Sequence, residues 1–205
     1  MGVQANNYTQ VNATVIIDKI ENGEEINLTD SRILGEINVS SIKLKTIPNP
    51  QYNKFLNEGD PKEVLVFYGI NENRSIVQSN IKIKNSFFEN GLDLSCTTFN
   101  APIDFDGTTF NDSADFNGST FNASANLSRS TFNTHADFAW ATFDAPTYFN
   151  GSDFNDSANF ALTTFNYSAR LGTHFYAPAD FTWTTFNAPA DFTESTFDAP
   201  IDFTD

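Results

Sequence analysis

Ten consecutive copies of one eleven-residue unit, from Thr97 to Asp205, constrain this chain more than any other feature. The first copy is Thr97 to Gly107. Its third position is phenylalanine in every copy: Phe99, Phe110, Phe121, Phe132, Phe143, Phe154, Phe165, Phe175, Phe186 and Phe197. The ninth reads Phe105, Phe116, Leu127, Phe138, Phe149, Phe160, Leu171, Phe181, Phe192 and Phe203. Large side chains therefore alternate at spacings of five and six, with one residue missing after Gly172. So strict a period specifies a solenoid, whose core lengthens with each unit.

The other positions fix which side of the wall each residue faces. Position one is Thr, Ser or Ala, and position seven is mostly Ala, with Ile103, Thr147 and Ile201 as exceptions. Positions one and three, and likewise seven and nine, share a side on an extended segment, so these four slots point inward. Position eight lies between two inward residues and points out: Asp104, Asp115, Asn126, Asp137, Tyr148, Asn159, Arg170, Asp180, Asp191 and Asp202. Proline recurs at position six, as at Pro102, Pro146, Pro178, Pro189 and Pro200, which marks a corner because proline cannot donate to a ladder. Asn-Gly at positions ten and eleven, as at Asn117-Gly118 and Asn150-Gly151, marks another.

The alternation of Ala-Asp-Phe-x-x with Ser/Thr-x-Phe-x-x resembles the pentapeptide-repeat family, in the phenylalanine-rich eleven-residue variant common in archaeal and bacterial surface proteins. The resemblance covers about residues 13–205 and implies an all-β solenoid: a right-handed quadrilateral parallel β-helix with a short N-terminal capping helix. Four faces make one coil of two copies, about 22 residues rising ~4.8 Å, so phenylalanines 22 apart are expected to stack in four ladders. The family carries no catalytic residues to transfer. Some of its members mimic duplex DNA and bind topoisomerases.

Along the chain, residues 1–10 read as loose and 11–23 as a capping helix, with Val11, Val15, Ile16 and Ile20 at helical spacing and Gly23 as the stop. The β-helix runs over 24–205. Ile26, Leu28, Ser31, Ile33, Ile37, Val39, Ile42 and Leu44 keep its inward register. An inserted loop at 45–63 carries Pro48, Pro50, Gly59 and Pro61, and its Tyr52, Phe55 and Leu56 are expected to fold back over the wall. Val64–Tyr68 restarts the strands, Val77, Ile81 and Ile83 recover the register, and phenylalanine-rich copies fill 86–205.

The chain carries a formal charge of −15. The ten copies hold 14 acids against Arg129 and Arg170. Nucleic-acid partners are not expected, because binding a phosphate backbone needs cations. Cys96 is the only cysteine, which excludes an internal disulfide, and no apolar run is long enough to insert in a membrane. Twelve asparagines lie in Asn-x-Ser/Thr triplets: Asn7, Asn12, Asn27, Asn38, Asn73, Asn111, Asn117, Asn122, Asn126, Asn150, Asn155 and Asn166. Met1-Gly2-Val3-Gln4 lacks a signal pattern, but the triplet density favours the mature, glycosylated part of a secreted or cell-surface protein over a cytoplasmic one. Four of the triplets, however, follow from the repeat itself, with Asn at position four and Ser at six. The copies end on a unit boundary at Asp205 with no cap, which is expected of a chain that continues or pairs with another.

Taking every second copy aligns Trp140, Leu162 and Trp183 on one outer edge, the candidate contact surface for a protein partner or a second copy. The competing reading packs them under the inserted loop. Asp115, Asp137, Asn159, Asp180 and Asp202 align beside them as a solvated acidic column. No cofactor is expected; calcium on that column is the one candidate. His135 and His174 belong to no catalytic spacing, so a non-enzymatic scaffold or docking rod is the leading expectation. A DNA mimic binding a type II topoisomerase and an end-to-end self-assembling rod are the alternatives.

Overall fold

A computed structural model of the chain describes residues 8–59 and 71–204. Short parallel strands stack into four sheets, one for each face of a quadrilateral β-helix. Near the N-terminus lie β1 (Thr9–Asn12), α1 (Ala13–Asn22), β2 (Ile26–Thr29), β3 (Ser31–Leu34) and β4 (Ile37–Asn38). β5 (Thr46–Pro48), α2 (Pro50–Glu58), β6 (Asn73–Val77) and β7 (Ile81–Lys84) follow. Face 1 grows from β2 and β7, face 2 from β1 and β3, face 3 from β4, and face 4 from β5 and β6. Thereafter each coil repeats the last at 22 residues: Phe99 pairs with Phe121, Ile103 with Ala125, Phe110 with Phe132 and Ala114 with Ala136.

The core is the set of inward residues read from the repeat. From Phe88 to Phe181 the rings at positions three and nine are buried, and rings one coil apart stack with nearly parallel planes, centroids 4.6–5.2 Å apart. Neighbouring ladders meet edge-on, as Phe138 meets Phe149 at 5.2 Å and 89°. Both arrangements suit the ring quadrupole. Position one adds something the sequence pattern did not show. Eight of its buried or half-buried hydroxyls, Ser130 among them, donate at 2.6–3.0 Å to the position-nine carbonyl of the preceding coil. The Phe105 carbonyl thus accepts both Ser130 Oγ at 2.9 Å and, within its own turn, Thr108 N–H at 3.0 Å. Both lone pairs of a buried acceptor are used, which removes the penalty of leaving one unmet.

The corners are of two kinds. At position six the carbonyl joins the ladder, as Pro102 accepts from Ile81 and Pro146 from Ala125. The N–H there makes no ladder bond among the described residues; Ser113 and Ser157 give theirs to Asp112 and Asp156. Proline therefore loses nothing in that slot. At position eleven the backbone is left-handed: φ is 70° at Gly107, 64° at Gly118 and 72° at Gly151, closing a type II turn. The turn after Leu171 lacks this residue, and there the backbone crowds: a Cβ on Gly172 would lie 2.5 Å from the Thr193 carbonyl oxygen.

The N-terminal end differs from the sequence reading. Residues 9 and 10, read as loose, and Val11, read as helical, form β1, which pairs in parallel with β3, Val11 opposite Ile33. Asn12 ends that strand and caps the helix by accepting the Thr14 N–H at 3.0 Å, so α1 begins at Ala13. Ala13, Ile16 and Ile20 of α1 then close the end of the core, and Gly23, at φ 67°, stops the helix.

The insertion also differs. The span read as a 45–63 loop holds a strand and a helix, and parallel register stops earlier, where Val39–Ser41 turns as a 3₁₀ segment. Ile42 and Leu44 still pack against the core, but off the ladder. β5 then runs antiparallel to β6, Ile47 opposite Arg74, and covers the first edge of face 4. The Val64–Tyr68 restart, the Phe55 side chain and Asn7 lie outside the described residues.

Candidate functional site

The corner between faces 3 and 4 places its position-eleven residues in one column. Trp140 N–H donates to the Ala161 carbonyl at 2.9 Å, Leu162 to Thr182 at 2.8 Å and Trp183 to Thr204 at 3.0 Å. These links tie each corner to the next at coil spacing. All three residues are left-handed, with φ of 60°, 59° and 59°. Such a conformation costs a bulky L-residue about 1–2 kcal/mol, and glycine fills the same slot at Gly118. Large apolar side chains thus stand in three successive coils where the backbone prefers none.

The insertion occupies the first part of this edge. Tyr52 of α2 is buried against Trp140 and Leu56. Gln51 donates from Nε2 to the Trp140 carbonyl at 3.1 Å and accepts from Arg74 through Oε1 at 2.6 Å. Arg74, itself buried, also reaches Thr120. Burial lowers its pKa, with the charges of Cys96 and Asp144 opposing that shift. Beyond the helix, Leu162 is half-buried and Trp183 is 58% exposed. The expected contact edge and the expected cover by the insertion therefore share one column: Trp140 is half-buried beneath α2 and Trp183 is open.

Beside the edge runs the acidic column of face 3. Each carboxylate caps its own turn, accepting the N–H two residues on: Asn117 to Asp115, Ala139 to Asp137 and Thr182 to Asp180, each at 2.8 Å. Asp and Asn recur at position eight for this reason as well as for solubility. Burial pushes Asp115 up to about 6, with Asp137 and Asp93 in the column adding to the shift and the Asn117 N–H opposing it. At the end of the column the Thr204 N–H and hydroxyl hold Asp202 below its usual range. Between column and edge lies an open groove of about 500 Å³, with Asp137 and Asp180 on one wall, Ala139 and Ala161 on the floor, and Trp140 and Leu162 on the other wall. Among the described residues no three His, Cys, Asp or Glu side chains are grouped to hold a metal ion.

The remaining candidates are dispersed. Asn12, Asn27, Asn73, Asn111, Asn122, Asn150, Asn155 and Asn166 are exposed, while Asn38, Asn117 and Asn126 are half-buried. Several are tied into side-chain ladders at position four: Asn122 Nδ2 donates to Asn100 at 2.8 Å and Asn155 to Asn133 at 2.9 Å. The fold itself thus has a use for asparagine there. His135 Nδ1 comes within 2.8 Å of Ser157 Oγ, a pair the sequence reading did not foresee. The same nitrogen is 3.1 Å from the Ser157 carbonyl, so the contact is a corner-to-corner link. No third group orients Nε2 among the described hydrogen bonds. Cys96 is buried, and its thiol is pushed up by burial. No helix among the described residues is long and apolar enough to cross a membrane.

The family model described as pentapeptide repeats (9 copies) matches residues 94–139. No curated protein and no solved structure matches the chain. Coils before and after the matched stretch keep its strand register, from Ile81 opposite Ile103 to Ala179 opposite Ile201, and carry its aromatic ladders onward. Residues 94–139 match pentapeptide repeats, and the coils on either side continue the same four-sided parallel β-helix, a structural repeat scaffold.

Proposed function

We propose that this scaffold is a non-catalytic docking rod of a secreted or cell-surface protein, and that a protein partner binds the edge continuing from Trp140 through Leu162 to Trp183. One observation carries the reading: strained left-handed corners in successive coils hold large apolar side chains, and the last of them is exposed. Strain retained at an exposed position favours a use for the side chain. A photoreactive residue at position 183 tests this against the same residue at Glu194, a left-handed corner on the opposite side of the coil. A single cross-linked partner at 183, absent at 194 and weakened by Leu162→Ser, supports docking; equal products at both sites oppose it. Intact mass from the native source tests export and glycan use, and unmodified cytosolic protein opposes both.

A second reading takes the acidic column of face 3 as a duplex-like surface for a type II topoisomerase. Its support is the column of Asp93, Asp115, Asp137, Asp180 and Asp202 on one face, interrupted only by neutral Asn159. On face 1 the corresponding column is broken by Tyr148 and Arg170. Inhibition of supercoiling at stoichiometric protein would favour this reading over docking at the edge.

A further inference from the structure

The docked partner is most sharply defined by the groove. Its two walls differ in chemistry: carboxylates Asp137 and Asp180 line one side, and Trp140 and Leu162 the other. The floor is small, Ala139 and Ala161, so an inserted side chain can lie along it. Opposite the carboxylate wall, on the far side of the edge, the chain shows how a helix sits on this corner. α2 seats an aromatic ring on Trp140 and a side-chain amide on its carbonyl.

We propose that the groove and the edge beyond α2 bind a basic amphipathic segment of a partner protein, a deepening that rests on the docking reading above. The apolar face of such a segment packs on Leu162 and Trp183, continuing the surface that Tyr52 and Leu56 already cover at Trp140. Its lysines or arginines lie over Asp137 and Asp180. Carboxylate beside indole is a setting that favours ammonium and guanidinium groups, through charge and through the ring face. Among the described residues that line it there is no lysine or arginine. An acidic segment is therefore repelled, and a neutral one gains only the apolar contact.

Three synthetic helical peptides of about 18 residues, long enough to span some five coils, separate the possibilities. One is built from Leu and Lys, one from Leu and Gln, and one from Lys and Gln. Binding to the full chain is read by its own two tryptophans, Trp140 and Trp183, and by calorimetry. The Leu/Lys peptide is expected to bind at least about 10-fold more tightly than either other. Leu162→Ser with Trp183→Ser is expected to lower that affinity about 10-fold or more. Asp137→Asn with Asp180→Asn, which keeps the turn-capping oxygens, is expected to lower it about 3- to 10-fold and to flatten its salt dependence. Equal binding of the Leu/Gln peptide overturns the basic partner while leaving docking at the edge intact. Equal binding of the Lys/Gln peptide, binding unchanged by the edge variants, or no binding of any peptide overturns both.

Discussion

The backbone N–H of Asn117 donates to the carboxylate of Asp115 at 2.8 Å, so one aspartate both closes a turn and stands in a column of like charges. The two roles conflict above pH 6. Burial first, and then Asp137 and Asp93, raise Asp115 from 3.8 to about 6. The folded chain therefore holds a proton that the unfolded chain has released between those values. Stability from this group is complete below about pH 4 and is lost as pH rises through about 6. Asp115→Asn keeps the acceptor oxygen, as native Asn126 and Asn159 do at the same slot. Its melting temperature is expected to exceed that of the parent at pH 7.5, with the gap closing by pH 4. A gap equal at both values would remove the charge explanation.

Inward and outward slots next to each other should respond very differently. Phe154 is fully buried between Phe132 and Phe175, and Phe154→Ala is expected to cost about 3–5 kcal/mol. Asp153 pairs with Thr131 and His174 on the outer surface, and Asp153→Ala is expected to change stability by less than about 1 kcal/mol. Thermal or denaturant melts of the two variants decide this, and comparable losses would contradict the inward assignment.

Glycines at the two types of corner also separate. Gly151 is left-handed, but its Cβ would approach only Arg129 Cγ at 3.5 Å, so Gly151→Ala should cost about 1–2 kcal/mol. Gly172 is not left-handed, yet its Cβ would meet the Thr193 carbonyl oxygen at 2.5 Å. Gly172→Ala must move a neighbouring coil and is expected to unfold at lower denaturant than Gly151→Ala. Inserting one residue after Gly172 restores the eleven-residue unit and should relieve that crowding.

The contact edge yields an inverted expectation. Replacing a large aromatic residue by glycine usually destabilises a protein. Trp183→Gly instead relieves a left-handed backbone at an exposed site and is expected to raise stability by up to about 1 kcal/mol. Trp140→Gly relieves the same strain but removes the seat of Tyr52, so it should lower stability. If Trp183→Gly is as damaging as Trp140→Gly, Trp183 has a packing role and the docking reading weakens.

Most of the wall was legible because its information is periodic. Phenylalanine every five or six residues, proline at one slot and Asn-Gly at another fixed the coil length, the corners and the Trp140–Leu162–Trp183 column. What escaped depends on contacts between coils or on segments outside the period. Position-one hydroxyls reach carbonyls about 25 residues back, a partner that no local pattern names. Aspartates at position eight read as solvent-facing, although their own turn already uses them. The Asn-Gly pairs did mark position eleven as a turn, and the strain at Trp140 follows once that slot is known to be left-handed. β1 and α2 occur once each, and their short polar sequences resemble loop until β3 and Trp140 supply a partner.

The insertion has a consequence for how such a chain can change. Ile26 pairs with Ile81 across 55 residues, whereas later coils close in 22, yet the pairing on face 1 is the same. The extra segment leaves and re-enters at one corner, and the remaining faces register no trace of it. A coil wall of this kind tolerates grafting: foreign sequence spliced between faces 3 and 4 needs only ends that meet at one strand spacing. Repeating the operation in other coils would set appendages at fixed intervals along a straight edge, with their separation counted in coils and not in residues.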